Sequence, residues 1–252
     1  STLVSCEVEG NGHVINVPSL SVQNGNNDFC VKNATFNLSD TRIIVADAFA
    51  FGIVGTGNGN IKLENVTFNG LAGSVYLRKQ NIVNATECKF EGDSELSVGN
   101  RSGELLLYEL QTINVLKSTF LNLRHGVHVL SGTSIEKVNS IDGNFFENCD
   151  GGICLQGGVS KNVRITNNVI KDSATGGADL AAINIHHSDG LILVESNSII
   201  NADGALIDLD DSTNSSLPQD TNGHFVVRNN DGTTSSENSV FLYYLKDVIF
   251  ES

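Results

Sequence analysis

A single phrase recurs along this chain and limits what it can fold into. It reads Ile61-Lys62-Leu63-Glu64-Asn65-Val66-Thr67-Phe68, then Ile113-Asn114-Val115-Leu116-Lys117-Ser118-Thr119-Phe120. It returns as Val163-Arg164-Ile165-Thr166-Asn167-Asn168-Val169-Ile170 and as Leu191-Ile192-Leu193-Val194-Glu195-Ser196-Asn197-Ser198-Ile199-Ile200. Each phrase is an alternating strand, a polar turn and a large apolar plug. Recurrence at a period in the twenties to low thirties is the signature of a solenoid. The plugs fall at Phe36, Phe68, Phe90, Phe120, Phe146, Ile170 and Ile200. Strand length hardly changes between phrases, so the uneven spacing belongs to the connecting loops, where solenoids carry their binding surface.

Three residues before the plug stands Asn33, Asn65, Asn167 or Asn197, replaced mid-chain by Glu87, Lys117 and Gly143. Asn tolerates a left-handed turn and can bond to its copy in the next coil. A second ladder follows each plug: Val75-Tyr76-Leu77, Leu105-Leu106-Leu107, Val127-His128-Val129, Ile153-Cys154-Leu155, Ile183-Asn184-Ile185, Ile207-Asp208-Leu209 and Val240-Phe241-Leu242. Period-two alternation puts the aliphatic residues inside and the middle residue outside, in one exposed column.

No amphipathic helix separates the strands, which excludes a doubly wound sheet. What is left is an all-β, single-stranded parallel β-helix, a solenoid whose right hand is implied by the resemblance drawn below. Residues 61–252 form its regular coils, and residues 1–60 form an irregular N-terminal cap of the same domain. The apolar segments Ala48 to Val54 and Val240 to Leu245 are expected to be buried or end-covering, and Ser212 to Asn222 to form a long loop. An uncovered solenoid end calls for a further domain or a homotrimer. The phrases Asn167-Asn168-Val169-Ile170 and Ser196-Asn197-Ser198-Ile199-Ile200 make roughly residues 60–245 resemble the right-handed parallel β-helix superfamily of pectate lyases, polygalacturonases and phage tailspikes. The resemblance implies a polysaccharide partner and a place outside the cell or on a virion surface.

Composition narrows the rest. A net charge of -14 with no basic run opposes a nucleic-acid or anionic-lipid surface. No apolar run is long enough to insert in a membrane. The five cysteines show no zinc-type spacing and read as stacked, reduced core residues, with Cys6 and Cys30 about one coil apart.

The outward positions of the second ladder are polar mainly in three consecutive coils. Gln156, Asn184, His186, Asp208 and Asp210 form one patch, with Asp211 at the strand end and His128 in line two coils away. Tyr108 and Tyr243 are placed to flank it and stack on sugar rings. Asp208 and Asp210 leave one face of one strand about 6.6–6.8 Å apart. Inverting glycosidases hold their two carboxyl groups at about 6.5–9.5 Å, leaving room for the attacking water. Asp208 and Asp210 are therefore the candidate acid and base, with Asn184, His186 and Gln156 holding the sugar. No cofactor is expected, although such a carboxylate pair also suits calcium. His13, His125 and His224 read as loop residues and His187 as a strand cap.

Two rival readings stand beside the hydrolase. A non-catalytic glycan-binding adhesin or tailspike shaft is favoured by the absence of Trp. A calcium-dependent lyase would need a base near the acids. Arg78 and Lys79 lie several coils away, leaving Arg228 from the next coil. The polygalacturonase order of an Asp pair, then His-Gly, then Arg-x-Lys is not kept, because Asp210-Asp211 follows Arg124-His125-Gly126 and no Arg-x-Lys comes after.

Overall fold

The structure is a computed structural model that describes residues 6–38, 49–95, 103–130, 139–156, 160–173, 181–186, 188–210, 223–235, 240–243 and 247–251. Every strand pairing among them is parallel, and the strands stack as a β-solenoid with three faces. The first face carries the variable column. The second carries the strands that open each repeated phrase. The third, a nine-stranded sheet, carries the plugs. The first two merge into one 17-stranded sheet because Ser74–Thr86 and Leu105–Leu116 run unbroken around a corner. Lys79 and Glu109 take positive φ at that bend. Residues 6–38 already follow the same three-faced path, with Thr35–Leu38 in register with the next plug strand.

The plugs form a continuous inner column. Phe36, Phe68, Phe90, Phe120 and Phe146 stack face to face with ring centroids 4.8 to 5.5 Å apart. Ile170 and then Ile199 continue the column. Ile199, not Ile200, is the plug. Ile200 faces solvent, 39% exposed, because the strand enters one residue earlier than the apolar pair Ile199-Ile200 implies.

This shift of one residue exposes a ladder that the sequence reading assigned to the wrong slot. The left-handed turn is held by Asn33, Asn65, Glu87, Lys117, Gly143, Asn167, Ser196 and Asn229, all with positive φ. Asn197 belongs one position later, in an inward row with Asn144, Asn168 and Asn230. Asn144, Asn168 and Asn197 are essentially inaccessible. Each donates from Nδ2 to the Oδ1 of the next coil's Asn at 2.9 to 3.0 Å. Each also donates to a backbone carbonyl, of Val115, Ile141 or Ile165. Their Oδ1 atoms accept the backbone N–H of Ser118, Asn144 and Asn168. The buried amides are thereby satisfied, which removes the penalty of their burial.

The cysteines are all free. Cys6 and Cys30 do not stack: Glu7 pairs with Cys30, so the two thiols are out of register, and Cys6 is exposed. Cys88, Cys149 and Cys154 are buried, and burial pushes the Cys88 thiol up to about 11. Of the segments expected to be buried, Ala50, Phe51 and Ile53 are core residues. Ala48 and the segment Ser212 to Asn222 lie outside the described residues. At the last coil Val240, Leu242 and Phe250 stand 39, 47 and 51% exposed.

The two Asn rows predict opposite mutational outcomes. Asn168→Ala strips partners from Asn144, from the Ile141 carbonyl and from Asn197, a cost of about 3 kcal/mol or more. Asn65→Gly keeps the turn conformation and is expected to cost no more than a few tenths of a kcal/mol. Thermal melts of both variants check this contrast.

Candidate functional site

The second ladder stacks as the alternation requires. Gly52, Tyr76, Leu106, His128, Cys154, Asn184, Asp208 and Phe241 are successive register partners. A parallel outer column runs Val54, Arg78, Tyr108, Leu130 and Gln156, and His186, Asp210 and Tyr243 pair at its far end.

The sequence patch therefore assembles in part. Asn184 lies directly beside Asp208, and His186 beside Asp210. His186 Nε2 stands 3.8 Å from Asp208 Oδ2. Gln156 ends the strand before them. Tyr243 is the register partner of Asp210, with a side chain outside the described residues, as is the whole of Asp211. Tyr108 is not a flank of this patch. It sits several coils away, its ring covered by the Arg78 guanidinium at 4.8 Å and facing Tyr76. Arg228 is also elsewhere. It lies on the second face, donating to Glu195 at 2.7 Å.

The middle column is not exposed as alternation alone implies. His128 and Asp208 are 8% exposed and Cys154 and Asn184 1%. Strands about 4.8 Å apart set these side chains in contact, so small groups such as the thiol and the amide are covered by their neighbours. Asp208 Oδ1 is buried and has no hydrogen-bond partner among the described residues.

A second polar group on this face was missed. Glu104 immediately precedes Leu105–Leu116, and His125 opens the strand His125–Leu130. Because Leu105 pairs with Val127, Glu104 comes level with Gly126, between the two histidines. One carboxylate oxygen, Oε2, accepts from His125 Nδ1 at 2.7 Å and from His128 Nδ1 at 2.8 Å. An ionised carboxylate only accepts, so both rings donate at Nδ1. His125 is thus a buried strand residue, not a loop residue. His128 belongs to this trio, with the Cys154 and Asn184 coils between it and Asp208. The signal in the sequence was the His125-x-x-His128 spacing with Glu104 one coil earlier.

Burial alone would raise the Glu104 carboxyl. The hydrogen bonds from His125 and His128 outweigh it and hold the group well below the usual carboxylate range. Burial lowers His125, against the opposing pull of Glu104. Burial, reinforced by Glu104 and Asp208, raises the Cys154 thiol far above its ordinary value. Cys154 is therefore a neutral divider between two acidic clusters, not a nucleophile.

Among the described residues, Glu104, His125 and His128 are the one group of three or more His, Cys, Asp or Glu side chains whose donor atoms converge, lying within 4.8 Å of one another. No third described carboxylate joins Asp208 and Asp210 in such a group.

No protein-family model matches the chain, and no curated protein matches it. Two solved structures are similar. One is an endo-xylogalacturonan hydrolase from Aspergillus tubingensis, at 13% identity and a TM-score of 0.50, covering 96% of this chain and 86% of that one. The other is the surface protein and adhesin PfbA of Streptococcus pneumoniae, at 11% identity and a TM-score of 0.28, covering 98% and 91%. The likeness is one of fold, that of a parallel β-helix. No described helix is long and apolar enough to cross a membrane.

The trio predicts an acid-labile coil. Glu104 and His125 both titrate lower in the folded state, so each contributes stability above its unfolded value that is lost as pH falls. The loss begins below about pH 6.5 for His125 and steepens below about pH 4.3 for Glu104. In chelator, the melting temperature of wild type is expected to fall more steeply than that of Glu104→Gln below about pH 4.3, where only wild type has this carboxylate to protonate. Parallel profiles would refute the assignment.

Proposed function

We propose that this chain acts on a polysaccharide outside the cell or on a virion surface, as a glycoside hydrolase with Asp208 and Asp210 as its carboxylate pair. The observation that carries the reading is their placement. They take alternate positions on one strand of the first face, with Asn184 and His186 as their register partners in the coil before. Two residues of strand separate them by about 6.6 Å, within the span of about 6.5–9.5 Å that admits a water between acid and base. Their settings differ, Asp208 buried and Asp210 half-buried. Paired carboxylates in unlike environments are what acid and base roles require. His186 and Gln156, half-buried, supply hydrogen-bonding groups of the kind that hold sugar hydroxyls, while Asn184, buried beside Asp208, is placed to back the carboxylate and not to meet the sugar.

The charge of the patch favours an uncharged glycan. Arg78 is engaged by Glu109 and Arg228 by Glu195, and both lie away from the carboxylates. The absence of a described Arg or Lys beside the carboxylates also weighs against the calcium-dependent lyase reading. The covering of Asp208 favours one alternative, a glycan-binding module that cleaves nothing. The fold likeness, which includes both a hydrolase and an adhesin, does not choose between them.

Reducing-end release from a panel of surface and plant polysaccharides decides the matter. Asp208→Asn and Asp210→Asn are each expected to slow release by about 10²–10⁴-fold at unchanged melting temperature. Full activity in both variants would remove the carboxylates from the mechanism. Saturable binding without release would select the binding module, and a chelator-sensitive unsaturated product the lyase.

A further inference from the structure

The geometry points to a divalent transition-metal site of the zinc class at Glu104, His125 and His128, three coils along the face from Asp208 and independent of the hydrolase reading. Two imidazoles and one carboxylate are a nitrogen–oxygen donor set suited to zinc, cobalt or nickel and poor for calcium, which takes oxygen ligands. The donors come from two adjacent coils and converge within 4.8 Å. The side chains of His125, His128 and Glu104 are only 5, 11 and 13% exposed. Three protein ligands leave a fourth position for water or a bound ligand.

The hydrogen bonds describe how the site stands when no ion is bound. Each Nδ1 lone-pair position carries a proton directed at the same carboxylate oxygen. A dication binding at these atoms takes the place of both Nδ1 protons, and each neutral ring carries its proton at Nε2 instead, a change of tautomer with no net proton released. The contacts of 2.7 and 2.8 Å would open to the roughly 3.3–3.4 Å expected between ligands about 2.0–2.1 Å from one ion. The His–Glu contacts thus open by about half an ångström, while the widest donor separation, within 4.8 Å, closes toward the same value. Ser74 Oγ, 3.4 Å from Glu104 Oε1, is placed to orient the other carboxylate oxygen. The nearest cysteine on this column, Cys154, is not in the converging group and keeps its proton, so no thiolate enters the set.

Calorimetric titration of the chelator-stripped protein with Zn²⁺ alone tests this. Wild type and Asp208→Asn are expected to bind one ion per chain with equal affinity. His125→Gln and Glu104→Gln are expected to weaken binding by about 100-fold or more, beyond what loss of an orienting partner costs. Co²⁺ loading of wild type gives a readout that needs no variant. Visible ligand-field bands of a four- or five-coordinate ion, without a thiolate charge-transfer band, support the site even if a variant fails to fold. No saturable binding by wild type, a thiolate band, or affinity unchanged by His125→Gln in a folded variant would each overturn it. Loss of binding in Asp208→Asn alone would move the ion to the carboxylate pair and overturn it as well.

Discussion

Register between coils is the constraint on which everything else rests. A parallel β-helix has weak means of setting it, because backbone ladders tolerate slippage where side chains do not object. Here one corner objects strongly. The plug column, rings from Phe36 to Phe146 and then Ile170 and Ile199, runs two residues after an inward row that holds the amides of Asn144, Asn168, Asn197 and Asn230 in the later coils. A slip of one position would turn both columns out of the core, and a slip of two would put an amide into the plug column; either leaves the amides' former partners bare. The rings supply apolar burial, and the amides make the price of misalignment high. The first face inherits its alignment from this corner, and so do Asp208 and Asp210.

The architecture was legible because it depends on repetition, and repetition survives ignorance of any single contact. The order of the first-face column followed from alternation alone, from Tyr76 through Asp208. Two failures have definite causes. Ile199-Ile200 offers two equivalent plugs, and hydrophobicity cannot choose between neighbours. The inward Asn197 decides, since its partner Asn168 is fixed by Ile170. Burial of the column was also out of reach, because parity tells which way a side chain leaves the sheet and not what lies over it.

The trio of Glu104, His125 and His128 shows a different limit. His125 stood in a motif compared with a known family and His128 in the variable column, while Glu104 was in neither. What was missing was the offset of Glu104 to Gly126, which only the Leu105–Val127 pairing supplies. The carboxylate pair could be read within one strand, from one alternation. A cluster assembled across two coils needs the register before its members can be seen as neighbours, and a residue just outside a strand is easily dropped from the ladder.

The amide row also has a direction. From Asn144 to Asn197 each Nδ2 sends one N–H to the higher-numbered coil and the other back to a carbonyl of the coil before, and from Asn144 to Asn230 every Oδ1 accepts from the lower-numbered coil. In the ladders of a parallel sheet, neighbouring peptide dipoles alternate and largely cancel. These side-chain dipoles do not alternate, so they add along the solenoid axis. The molecule thus has an electrical polarity built from uncharged groups, with its positive pole toward the Asn230 end. Each bond in the row polarises the next, so a defect at one Asn is felt by coils it never touches.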